Sequence, residues 1–159
     1  MKQLSKIVIY SDGGARGNPG PAGIGVVIKI DNQDNQEIKR EKKISEFIGT
    51  ATNNQAEYKA VIAALSYIQE NRDDKDFSEN LEIECFLDSK LVVEQLNQNY
   101  KLKNEGLKPL FWQARDLVLK LGGSTNSPQG GKVSFQYIPR EQNQEADRLV
   151  NQALDNQEN

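Results

Sequence analysis

The chain has 159 residues, 20 Lys and Arg against 23 Asp and Glu, a net charge of −3, one cysteine and no histidine. This length suits one domain with a substantial core. No run approaches the roughly 20 apolar residues that cross a bilayer, and "MKQLSKIVIY" lacks the apolar region of a secretory signal. Without histidine there is no Ser-His-Asp or Cys-His catalysis and no histidine-caged zinc, so any chemistry rests on carboxylates, lysine, tyrosine or a cation held by oxygen.

Leu4–Ser11 is apolar on both faces and reads as a central strand. It runs into Asp12, and six glycines follow between Gly13 and Gly25, half of the chain's twelve. This stretch predicts a Gly/Pro loop turning into a hairpin partner, Ile24–Ile30. "DNQDNQ" is a polar turn before a lysine-rich third strand, Glu37–Ile48, near an edge. "TNNQ" opens a helix to about Gln69, with Thr52 as N-cap and Gln55 completing a capping box. After the loop "NRDDKDFSEN" comes a fourth strand, Leu81–Leu87. Its Cys85 cannot form an internal disulfide and fits a reducing, cytoplasmic setting. A helix over Lys90–Asn97, a link "QNYKLKNEGLKP" and a helix over about Leu110–Leu121 follow. Beyond "GGSTNSPQGG" lie a fifth strand, Val133–Ile138, and a closing helix, Gln142–Leu154; residues 156–159 are expected to be a disordered tail. The order βββαβααβα predicts one α/β domain, residues 1–155. Its mixed five-stranded sheet begins with three antiparallel strands and is flanked by helices.

Four acids break local rules together. On a helical wheel Glu57 falls in the middle of the stripe made by Ala60, Val61, Ala64, Leu65 and Ile68. The bland alternative is a first-turn glutamate favoured by the helix dipole. Asp12 and Asp88 end apolar strands; taken singly, each reads as a turn former or a helix cap. Asp147 lies at the boundary of the apolar stripe of the last helix, where a surface pair with Arg148 is the plain reading. If the strands are neighbours, the four carboxylates converge at one end of the sheet. Like charges at close range repel unless a cation sits among them, and oxygen ligands select hard cations such as Mg²⁺ or Mn²⁺.

The motifs "YSDGGARGNPGPAGIG", "TNNQAEYKAV", "FLDSKLVVEQL" and "PREQNQEADRLV", in this order, resemble ribonuclease H type 1 over residues 4 to 154. The resemblance implies the ribonuclease H-like fold and an acid tetrad matched by Asp12, Glu57, Asp88 and Asp147. It further implies two-metal cleavage, with Mg²⁺ or substituting Mn²⁺, of the RNA strand of RNA/DNA hybrids, leaving 5′-phosphate and 3′-hydroxyl ends. By the same resemblance Asn18, Asn53 and Asn54 read the minor groove of the hybrid. Thr52 with Asn18 forms a pocket for a DNA-strand phosphate, assisted by Lys29. Gly13, Gly14 and Lys90 belong to the substrate surface, the bare glycine loop giving a duplex close access to the backbone.

Two features depart from many members. The last loop is short and has no histidine, so Arg140 stands where the histidine acts and Asn143 matches an auxiliary site residue. The basic protrusion is reduced to "NYKLKNEGLKP". Both place the chain in a short-loop branch, expected to be a monomer that binds substrate weakly. Three rival readings stand beside it: cleavage of double-stranded RNA, whose geometry is similar; a non-catalytic duplex-binding module, against which the intact tetrad argues; and a ribonuclease domain derived from a reverse transcriptase, against which a chain this short with no polymerase argues.

Overall fold

A computed structural model describes residues 4–32, 37–71, 80–122 and 133–157. The elements in chain order are β1 (Leu4–Ala15), β2 (Gly20–Asn32), β3 (Glu37–Ala51), α1 (Asn53–Glu70), β4 (Asn80–Leu87), α2 (Lys90–Leu96), α3 (Lys108–Lys120), β5 (Val133–Tyr137) and α4 (Gln144–Gln157). A 3₁₀ turn, Arg140–Gln142, leads into α4. The strands form one sheet in the order β3-β2-β1-β4-β5. β1 is antiparallel to β2 and parallel to β4; β3 is antiparallel to β2 and β5 parallel to β4. This is the mixed five-stranded α/β sheet expected, with three antiparallel strands first.

Alternation along β1 and β2 assigns the two faces. Ile7 and Ile9 on β1, with Ile24, Val26, Ile28 and Ile30 on β2, belong to the main apolar core, which also takes in residues of α1, α2 and α3. The opposite face is covered in part by α4, whose Ala146 and Val150 lie over Gly25 and Gly23. The N-terminus of α1 carries the expected capping box: Thr52 Oγ1 accepts from the Gln55 N–H, and Gln55 Oε1 accepts from the Thr52 N–H.

Several boundaries differ from the sequence expectation; β3, for one, runs to Ala51 rather than Ile48. The glycine stretch is mostly strand: β1 continues through Gly13 and Gly14, β2 begins at Gly20, and the turn is only Arg16–Pro19. A Cβ at Gly13 would overlap the backbone of Ala56 in α1, and one at Gly25 the carbonyl of Ala146 in α4. At these two positions the bare backbone admits a helix rather than an incoming duplex. α4 begins two residues later than expected, because Pro139 and the 3₁₀ turn occupy the entry. It continues to Gln157, so Asn156 and Gln157, expected in the tail, are helical. Of the turns expected at 31–36, 71–80 and 122–131, residues 33–36, 72–79 and 123–131 lie outside the described residues, while Asp31 and Asn32 end β2 and Asn80 opens β4.

Candidate active site

The parallel pairing of β1 with β4 sets the site. Ser11 lies opposite Leu87, so the next residue of each chain segment, Asp12 and Asp88, emerges at the same end of the sheet. α1 lies against β1 at the Gly13–Ala56 contact, and this brings Glu57, in its second turn, to the same place. One carboxylate oxygen from each of Asp12, Glu57 and Asp88 lies within 4.8 Å of the others. Asp147, in the first turn of α4, lines the same cleft, of about 360 Å³, with Arg140 and Asn53.

Glu57 and Asp88 lose their bland explanation, and Asp147 pairs with a different arginine from the one expected. Glu57 is in the second turn, beyond the free N–H groups of the helix start. Asp88 does not cap α2; Ser89 does, its hydroxyl accepting from the Val92 N–H. Arg148 pairs with Glu145 at 2.8 Å, not with Asp147. Asp147 is met instead by the Arg140 guanidinium, 3.5 Å away.

The electrostatics are strained. Asp12 and Glu57 are each only 7% exposed. Burial, with the charge of Asp88 and then Asp147 added, pushes the Asp12 carboxyl up to about 7. Burial and the adjacent Asp12 hold Glu57 well above the usual carboxylate range. The Gly13 N–H donates to Asp12 Oδ1 at 3.0 Å, but Glu57 Oε2 is buried with no hydrogen-bond partner. A buried, unpartnered carboxylate oxygen is costly. A divalent cation seated among these oxygens would remove both the repulsion and the orphaned atom, and an all-oxygen donor set suits a hard ion. The residues therefore fit the metal that the resemblance implies.

The other predicted residues divide. Asn53 and Asn18 knit the β1–β2 turn to α1. The Asn53 N–H donates to Asn18 Oδ1 at 2.9 Å, and the Ala15 N–H donates to Asn53 Oδ1 at 2.8 Å. Asn54 is half-buried in the first turn of α1, and Lys90 is exposed at the start of α2. Gly14 lines the cleft beside Gly13. Asn143 is buried and joins Asp88 to β1.

Lys29 falls elsewhere. Gly20, opposite Ala51 and so beside Thr52, lies nine residues before Lys29 on β2, roughly 30 Å along an extended strand. Lys29 instead sits over the Tyr10 ring, 5.7 Å from its centre, in a separate cavity with Glu41 and Lys43. It does not assist a pocket at Thr52. Sequence reading also passed over Arg16 and Asn151, which line the cleft. Arg16 donates to Asp155 of α4 at 2.6 Å. Asn151 lies one turn after Asp147, a spacing that could have found it; nothing local marks Arg16.

A "Reverse transcriptase-like" family model matches residues 10–153. A bifunctional protein of Mycobacterium tuberculosis is 40% identical over 150 residues, which are 94% of this chain but 36% of that protein; the chain thus spans about a third of the first curated relatives it matches. A ribonuclease H of Ruthia magnifica is 35% identical over 125 residues, covering 72% of this chain and 75% of that one. Among solved structures, LC11-RNase H1, which was isolated from compost, has been crystallised with an RNA/DNA hybrid. That structure superposes with a TM-score of 0.77 at 38% identity, over 96% of this chain and 99% of that one.

Proposed function

This chain belongs to the ribonuclease H family, and from that premise we propose that it is an endonuclease that hydrolyses the RNA strand of RNA/DNA hybrids. The observation that carries the reading is the meeting of Asp12, Glu57 and Asp88 within 4.8 Å at the mouth of a cleft. The relation to an RNase H1 crystallised on a hybrid supports the choice of substrate.

In this reading Asp12, Glu57, Asp88 and Asp147 hold two divalent ions, Mg²⁺ or substituting Mn²⁺. When bound, such ions would polarise a phosphoryl oxygen and acidify a water able to attack the phosphorus, the bond to the ribose 3′-oxygen breaking in exchange. The residues of the chain do the placing. Asp12, steadied by the Gly13 N–H, has an oxygen within 4.8 Å of both Glu57 and Asp88. Arg140, largely exposed beside Asp147, offers a permanent positive charge to a phosphate at the rim. Asn18 and Asn53, both exposed, accept with their amide oxygens from main-chain N–H groups, so their NH₂ groups are left to face the minor groove. Asn54 joins them there, Thr52 with Asn18 receives a DNA-strand phosphate, and Lys90 borders the substrate surface. Ribose 2′-hydroxyls mark the strand to be cut, and in-line attack leaves 5′-phosphate and 3′-hydroxyl ends. Residues 1–155 form the catalytic domain, acting as a monomer; the single, buried Cys85 is consistent with a reducing cytoplasm.

The test is gel analysis of one end-labelled RNA strand, paired with DNA, paired with RNA, or alone, in Mg²⁺, Mn²⁺ or EDTA. Internal cutting of the hybrid with either cation and none in EDTA is expected. Preferential cutting of the RNA duplex would move the substrate to double-stranded RNA. Binding without cutting in every arm would make the chain a duplex-binding module.

A further inference from the structure

Asn143 is 1% exposed, sits between the 3₁₀ turn and α4, and spends both hydrogens of its Nδ2 on the acid site. One goes to the main-chain oxygen of Ser11, 2.9 Å away, the other to Asp88 Oδ2 at 2.8 Å. The β1–β4 ladder has its last pair at Ser11 and Leu87. Asp12 and Asp88 lie one residue beyond it, where no ladder bond holds the two segments in register. Asn143 supplies the missing rung. Its own carbonyl accepts from the Asp147 N–H at 3.1 Å, so it also anchors the turn of α4 that carries Asp147.

We infer that Asn143 is a positioning residue that sets the Asp88 carboxylate for cation binding. The chemistry suits the task. A primary amide gives two donors from one atom and carries no charge, so it fixes Asp88 Oδ2 without competing with a cation for the negative charge. A lysine or arginine at this position would neutralise Asp88 instead. The second amide atom argues for a role beyond stability: Asn143 Oδ1 is buried with no partner. A residue kept only to fill this space would be apolar and would carry no such cost.

The inference rests on the reading that Asp12, Glu57 and Asp88 bind a divalent ion, but it is tested without turnover. Mn²⁺ binding to the whole chain, without nucleic acid, is measured by electron paramagnetic resonance alongside thermal unfolding. Asn143→Ala should weaken Mn²⁺ binding tenfold or more, and Asn143→Ser, which keeps one donor, by less. In an Asp88→Asn background, Asn143→Ala should change the remaining affinity by under twofold, because the residue acts through Asp88. Wild-type affinity in a folded Asn143→Ala chain would overturn the proposal while leaving the metal-binding site intact. An undiminished Asn143→Ala effect in the Asp88→Asn background would overturn it too, as would failure of both Asn143 variants to fold, since the role would then be structural. A wild-type chain that bound no Mn²⁺ would overturn the metal reading itself and this inference with it.

Discussion

Asp12→Asn should make the protein inactive and more stable, by an amount that depends on pH in a calculable way. The folded state pushes the Asp12 carboxyl from 3.8 to about 7, whereas in the unfolded chain it titrates near its ordinary value. Between these values the native state binds more protons than the unfolded one, so stability falls as pH rises through this window. At pH 8 both states are ionised and the penalty is full: roughly three pKa units at 1.36 kcal/mol each, or about 4 kcal/mol. At pH 5 the native carboxyl is protonated and the penalty shrinks to roughly 1–2 kcal/mol. The asparagine carries no such penalty. In EDTA it should therefore raise Tm by about 8–16 °C at pH 8, at roughly 2–4 °C per kcal/mol for a chain of this size, and by less than half as much at pH 5. The neighbouring Glu57, also raised well above its usual range by burial and by Asp12, is relieved by the same change, which adds to the gain. Differential scanning calorimetry of both proteins at the two pH values measures it. An Asp12→Asn gain that is absent at pH 8, or equal at both pH values, would refute the account of Asp12 as a buried, repelled carboxylate.

Thr52→Ala removes the hydroxyl half of the capping box and should cost about 1 kcal/mol, read as a Tm lower by about 3 °C. Gly25→Ala forces a methyl against the Ala146 carbonyl; it should destabilise by about 1–3 kcal/mol in denaturant melts and lower kcat by moving Asp147. Arg140→Ala should slow single-turnover cleavage by a factor that is constant from about pH 6 to 9, since the guanidinium does not titrate there; a strongly pH-dependent defect would assign a proton-transfer role nearby. With net charge −3, few phosphates should be neutralised, so log K for a hybrid should fall with log salt at a slope of roughly −3 to −4.5, for about three to five contacts.

The order of elements and the capping box at Thr52 were legible because both are local: apolar periodicity and a four-residue spacing suffice. The strand ends near Asp12 were not. Glycine ordinarily signals a turn, but Gly13 and Gly25 are bare because helices lie against them, a reason that exists only in three dimensions. The four acids could be picked out because each broke a local rule, yet their neighbours were misassigned. Arg148 lay beside Asp147 in sequence, while the guanidinium that reaches it belongs to Arg140, in the 3₁₀ turn that precedes α4. Ser89 and Asp88 are both good caps, and sequence could not say which would be used. Lys29 was misplaced because strand register, not residue type, decides which end of β2 it occupies. The task of Asn143 had no local trace at all, since its two acceptors are 132 and 55 residues away.

The two glycines beneath the helices also make the spacing of the acids adjustable from behind. Gly13 is pressed by the helix that carries Glu57, and Gly25 by the helix that carries Asp147. A side chain added at either position acts as a shim under one helix and leaves every carboxylate chemically unchanged. Gly13→Ala would lift Glu57 away from Asp12, and Gly25→Ala would lift Asp147. Each acid can thus be withdrawn separately, by about an ångström, the distance needed to relieve the 2.2 Å and 2.1 Å overlaps. The pair of variants would grade activity against ligand distance, a relation that deleting a carboxylate cannot measure.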